Sequence, residues 1–158
     1  MIIWYFAYGS NLDYVQMQGR CPTAQFVCRA VLKDHVVAFT RNSARRQGGV
    51  ADVVPQPGHD VWGAIYQFAD SDLSGLDEQE GFLPGRAAEL NAYNRQQVQV
   101  LAENDAGQPM TVAIYIAVKQ PAPSPPSEAY MRHIIGGAKF CKLPPTYIEE
   151  LAACASCT

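Results

Sequence analysis

The chain has 158 residues, 48% of them apolar, which suits one domain with a sizeable core. A net charge of −3 gives no electrostatic footprint for nucleic acid or an anionic membrane surface, and no apolar run approaches the ~20 residues of a membrane span. Five cysteines, an odd number behind an N-terminus without a signal peptide's basic flank or cleavage site, argue against a disulfide framework and for the cytoplasm.

Residues 2–8 form the first strand, with Ile2, Trp4, Phe6 and Tyr8 on one face and apolar groups on much of the other, the pattern of a central strand. It runs into Gly9-Ser10-Asn11, where Asn11 is expected to cap a short helix through Met17 with Asp13 in its first turn. Gly19-Arg20-Cys21-Pro22 ends that helix. Residues 26–40 carry strand character. The arginines that follow, Arg41, Arg45 and Arg46, read as a solvated loop in preference to a phosphate site. Gly48-Gly49 then leads into a hairpin with strands over 50–54 and 60–68 and a turn over 55–59. Gly63 inside it marks a close backbone approach or a bulge.

A helix over 71–80 is capped by Asp70 or Ser71 and stopped by Gly81. A second hairpin pairs 93–101 with 110–118 through Asn104-Asp105-Ala106-Gly107. Pro121 to Pro126 break the pattern before closing helices over 127–136, capped by Ser127, and over 146–153. The sum is a single α+β domain of about six strands, with short helices over its openings and edges. Residues 1–150 form the folded core and 151–158 a loose tail, in which Cys154 and Cys157 are incidental.

Two features carry chemistry. The junction at Gly9-Ser10-Asn11 aims backbone N–H groups at one point and can receive a carboxylate or a developing oxyanion. Such residues also make connections with no ligand at all. In the 71–80 helix, Leu73, Leu76 and Glu80 fall at i, i+3 and i+7 and share a face, while Asp77 and Glu78 are expected to point to water. Glu80 is therefore the acid on the apolar face. Burial and the negative end of the helix dipole both raise its pKa toward the range useful for proton transfer. The alternative is a structural carboxylate held by Arg86 or a backbone amide.

Several blocks, in order, resemble the γ-glutamylcyclotransferase family. They are Tyr8-Gly9-Ser10-Asn11-Leu12, Gly48-Gly49-Val50-Ala51, Pro57-Gly58 with Val61-Trp62-Gly63, Leu76-Asp77-Glu78-Gln79-Glu80-Gly81, Gly137-Ala138-Lys139 and Leu143-Pro144. The resemblance spans nearly the whole chain. It implies a small mixed β-barrel-like core flanked by short helices. It also implies conversion of a γ-glutamyl amino acid or related γ-glutamyl amide into 5-oxoproline plus the free amino acid or amine. No cofactor and no metal are implied; the partner is a small γ-glutamyl molecule, with neither nucleic acid nor membrane, and a homodimer is allowed.

By position, Glu80 matches the family's acid/base glutamate. Tyr5, Phe6, Ala7, Tyr8, Gly9, Ser10 and Asn11 match its substrate-binding loop, and Tyr130 and Tyr93 match pocket tyrosines. The connection Phe82 to Ala92 is longer than in the members the chain most resembles and reads as a surface insertion or a lid. The alternative functions are a γ-glutamylamine or biosynthetic γ-glutamyl-removing cyclotransferase on the same scaffold, or a non-catalytic module that binds γ-glutamyl metabolites.

Overall fold

A computed structural model, describing residues 1–103 and 108–155, closes five strands into a barrel. The strands are β1 (Ile2–Ala7), β2 (Gln25–Ser43), β3 (Gly48–Ala69), β4 (Tyr93–Ala102) and β5 (Pro109–Ala117), in the order β1-β3-β2-β4-β5. Neighbours run antiparallel except β1 and β5, which meet in parallel at Tyr5 and Ala113 and complete the ring. The ring closes through short seams, two paired positions between β2 and β4 and one between β1 and β5. β1 lies between β3 and β5, and its successive residues Tyr5, Phe6 and Ala7, which point to alternate faces, are all buried.

Among the described residues, four α-helices accompany the barrel: α1 (Tyr14–Arg20), α2 (Leu73–Gln79), α3 (Glu128–Phe140) and α4 (Pro145–Cys154). α3 starts where expected, with Ser127 Oγ accepting the Tyr130 amide, but runs to Phe140 rather than 136. Its glycines do not stop it. A Cβ on Gly137 would lie within 2.5 Å of the Leu12 and Asp13 backbone, so the glycine lets α3 press directly on the turn after β1. Gly63 is likewise a point of close approach, where a Cβ would meet the Ala7 carbonyl and the Phe6 ring.

Several expected boundaries change. The chain does not reverse at 55–59, so 50–54 and 60–68 belong to one strand, and five strands replace the expected six. The partner of β3 is β2: the ladder pairs Lys33 with Asp60 and resumes at His35 with Pro55. Residues 56–59 are thus an excursion opposite Asp34, whose carboxylate accepts the Gly58 amide at 3.0 Å. The turn chemistry of Pro57-Gly58 was legible, but it bends a strand instead of ending one.

Asp13, not Asn11, caps α1, accepting the Gln16 amide at 2.8 Å, because a 3-10 turn over Ser10–Leu12 intervenes. A second 3-10 turn, Asp70–Asp72, precedes α2, and the Asp72 carboxylate goes to Thr23 instead of capping the helix. The expected loose tail at 151–158 begins too early. α4 continues through Cys154 and buries Tyr147 and Leu151 one turn apart. The expected turn over Asn104 to Gly107, and Cys157, lie outside the described residues.

Candidate active site

β1 ends at Ala7, and Tyr8-Gly9 carries the chain into the 3-10 turn. That turn buries Asn11, whose amide becomes a hub. Its Nδ2 donates to the Tyr5 hydroxyl at 3.0 Å and to Glu80 Oε1 at 2.9 Å. Its Oδ1 accepts from Gln16 Nε2 at 2.8 Å and from an Arg20 Nη at 2.9 Å. All four hydrogen-bonding capacities of the side chain serve one arrangement. Arg20, in the last turn of α1, also reaches Glu80 Oε1 at 3.4 Å.

Glu80 stands at the C-terminal cap of α2, one residue before Gly81, which turns at φ +70°. Its side chain is 14% exposed. Burial raises its pKa above the ordinary carboxylate range, against the opposing pull of Arg20 and then Asn11. The proposed structural tie to Arg86 is absent: Arg86 donates to Asn91 Oδ1 and the Gly81 carbonyl, within its own loop.

Asp77 does not point to water. It is 4% exposed, accepting from the Tyr115 hydroxyl at 2.6 Å and Arg95 Nε at 2.9 Å. The inward stripe of α2 is wider than i, i+3, i+7 and includes i+4, so Asp77 falls on it beside Leu76. Its partners are on β5 and β4, which explains why helix periodicity alone misplaces it.

These elements enclose a narrow cavity of about 30 Å³. Tyr5, Tyr8, Gly9, Ser10, Asn11, Glu80, Tyr93 and Tyr130 line it, joined by Ala51 and Tyr115. Phe6 and Ala7 are fully buried but line neither this cavity nor the one outside it. Tyr93, from the first position of β4, donates to the Ala51 carbonyl at 2.6 Å. Tyr130 accepts from the Ala51 amide at 3.0 Å. One peptide segment thus holds both phenols.

The directions of these bonds matter. Tyr8 and Tyr93 spend their protons on the carbonyls of Tyr115 and Ala51. Tyr5 and Tyr130 accept instead, so their O–H groups remain donors toward the cavity. Burial pushes the Tyr130 phenol up to about 12 and keeps it protonated. Among the described residues, the amides of Gly9 and Ser10 have no backbone acceptor. The site therefore sets one basic oxygen beside several unspent N–H and O–H donors. Among the described residues, no group of three His, Cys, Asp or Glu is placed to hold a metal ion.

The inner cavity shares Ser10, Glu80, Tyr93 and Tyr130 as walls with a neighbouring outer one of about 380 Å³. Arg20, Arg41, Arg45 and Arg46 line that outer cavity, so the arginines expected in a solvated loop face the site. Nothing local in the sequence reveals this. The β2–β3 hairpin carries them over the barrel mouth. Arg20, read as part of a helix stop, was missed for the same reason.

The family model of the AIG2-like family matches residues 60–151. Over 153 residues the chain is 36% identical to the γ-glutamylcyclotransferase of Mus musculus and 34% identical to that of Homo sapiens, covering 94% of this chain and 77% of each relative. A solved structure of a γ-glutamyl cyclotransferase superposes with a TM-score of 0.86 at 34% identity, over 97% of this chain and 88% of that one. The chain belongs to the AIG2-like family and, within it, to the γ-glutamylcyclotransferases.

Proposed function

We propose that this protein converts a γ-glutamyl amino acid or related amide into 5-oxoproline and a free amine, with Glu80 as the acid/base group. The supporting observation is a largely buried carboxylate of raised pKa on the wall of a tyrosine-lined cavity, held there by Asn11 of the turn after β1. Glu80 takes a proton from the substrate's α-ammonium. The freed amine attacks the substrate's own γ-carbonyl and closes a five-membered ring. The bond to the departing nitrogen then breaks as Glu80 returns its proton to that nitrogen, and the ring nitrogen gives its second proton to the released amine, which leaves as an ammonium.

The nucleophile is tethered to its electrophile, so the protein supplies geometry and proton transfer and needs no covalent Ser or Cys. The O–H groups of Tyr5 and Tyr130 and the amides of Gly9 and Ser10 are the donors for the substrate carboxylate and the tetrahedral oxyanion. The protein acts in this reading on a free small molecule in the cytoplasm, and its net charge of −3 fits a role away from nucleic acid.

Glu80→Gln keeps the shape and removes the base. It is expected to retain substrate binding by calorimetry and to lose release of 5-oxoproline. Wild-type turnover in that variant would remove Glu80 from the mechanism. A wild-type protein that binds γ-glutamyl-alanine, γ-glutamyl-lysine or glutathione without forming product would be a binding module instead.

A further inference from the structure

The outer cavity carries a charge imbalance that the cyclisation itself does not use. Four guanidinium groups line it against two carboxylates, Glu78 and Glu80, and Glu80 already lies within ion-pair distance of Arg20. Among the described residues, Arg41, Arg45 and Arg46 have no carboxylate within ion-pair distance.

Arg46 is the best placed of them. It donates to Gln16 Oε1 at 2.7 Å and sits 5.3 Å over the ring of Tyr130, a wall shared by the two cavities. Gln16 in turn donates to Ser10 Oγ and Asn11 Oδ1, which ties Arg46 to the turn that lines the inner site. Burial, and then the neighbouring charge of Arg45, disfavour the Arg46 cation, and the attraction of an anion entering here would oppose both. Arg41 is anchored by donating to the Val118 carbonyl at 3.1 Å, while Arg45 is exposed at the hairpin turn.

We propose that this arginine-lined outer cavity selects the departing half of the substrate, favouring leaving amino acids that carry carboxylates and acidic ones above all. The inference rests on the cyclotransferase reading, because it places the γ-glutamyl half in the inner cavity and the leaving group outside it. An amino-acid leaving group presents one α-carboxylate to the guanidinium groups. Glutamate or aspartate presents a second. A simple alkylamine presents none, and the cationic side chain of lysine is repelled. Planar guanidinium groups suit bidentate capture of such carboxylates.

The test compares kcat/KM for γ-glutamyl-glutamate, γ-glutamyl-alanine, γ-glutamyl-lysine and γ-glutamyl-ethylamide, read as 5-oxoproline release. The expected order runs from glutamate through alanine to lysine and ethylamide. In Arg45→Gln/Arg46→Gln, the ratio of γ-glutamyl-glutamate to γ-glutamyl-ethylamide should fall by about tenfold, the scale of a charge-assisted contact partly screened by solvent. Arg45→Glu, at an exposed position that leaves the packing alone, should move preference toward γ-glutamyl-lysine. Donor-independent rates, with ratios unmoved in both variants, would overturn the leaving-group inference and leave the cyclotransferase reading standing. Failure to cyclise any donor would overturn that parent reading as well.

Discussion

At Glu80, burial and the neighbouring Arg20 act in opposite directions on one carboxyl, and their signs lead to a measurement. Burial holds the folded pKa above the ordinary carboxylate value, and Arg20 is the largest force drawing it down. The basic form therefore appears only as pH rises through a value above that of an ordinary carboxylate, and the acid limb of kcat/KM should lie there. Arg20→Gln removes the lowering charge, so that limb should shift to higher pH. A limb that stays in place would assign it to another group. The same raised pKa acts on folding: Glu80's contribution is present below the unfolded carboxylate value and is lost as pH rises through the folded one. Glu80 was legible because one acid at i+7 from Leu73 had to share the apolar face. Arg20 and Asp77 were not, because each is defined by partners on other elements, and helix spacing carries no information about Tyr115 or Arg95.

Among the elements, α4 departs most usefully from expectation. A C-terminal run of Ala and Cys suggests fraying, yet Leu151 is 2% exposed, one turn after the buried Tyr147. Leu151→Ala should lower stability by about 2–4 kcal/mol, as buried leucine truncations do, seen as a shift in the denaturant midpoint. A shift within about 0.5 kcal/mol, the scale of surface substitutions, would mean that this helix end is loose after all. The β2–β3 pair shows the opposite limit of sequence reading. Strand character on both sides of 55–59 was plain, and so was the turn chemistry between. Whether such a signal folds the chain back or bulges a continuous strand depends on which partner occupies the ladder, and that partner is β2.

For the whole molecule, the barrel gathers the site from places far apart in the chain. The turn after β1, the end of α2, the start of β4 and a tyrosine of α3 converge at one mouth. Their local motifs were visible in the sequence and stood in an order that matched a family, which is why most of the inner site could be named before the fold was known. The outer site could not. Its arginines have no motif, and only the reach of a 19-residue strand paired to a 22-residue one brings their hairpin over the opening.

Ala51 offers the cavity no functional side chain, yet its N–H and C=O hold Tyr130 and Tyr93 from opposite ends. An alanine scan passes over this position in silence, since the residue is alanine already. Semisynthesis that swaps the amide at residue 51 for an ester replaces that N–H with oxygen and leaves every side chain in place. It should release the Tyr130 phenol and lower kcat/KM by roughly fivefold, the worth of about 1 kcal/mol. The placement of both phenols is thus written in main-chain atoms, where conventional mutagenesis has no letter to change.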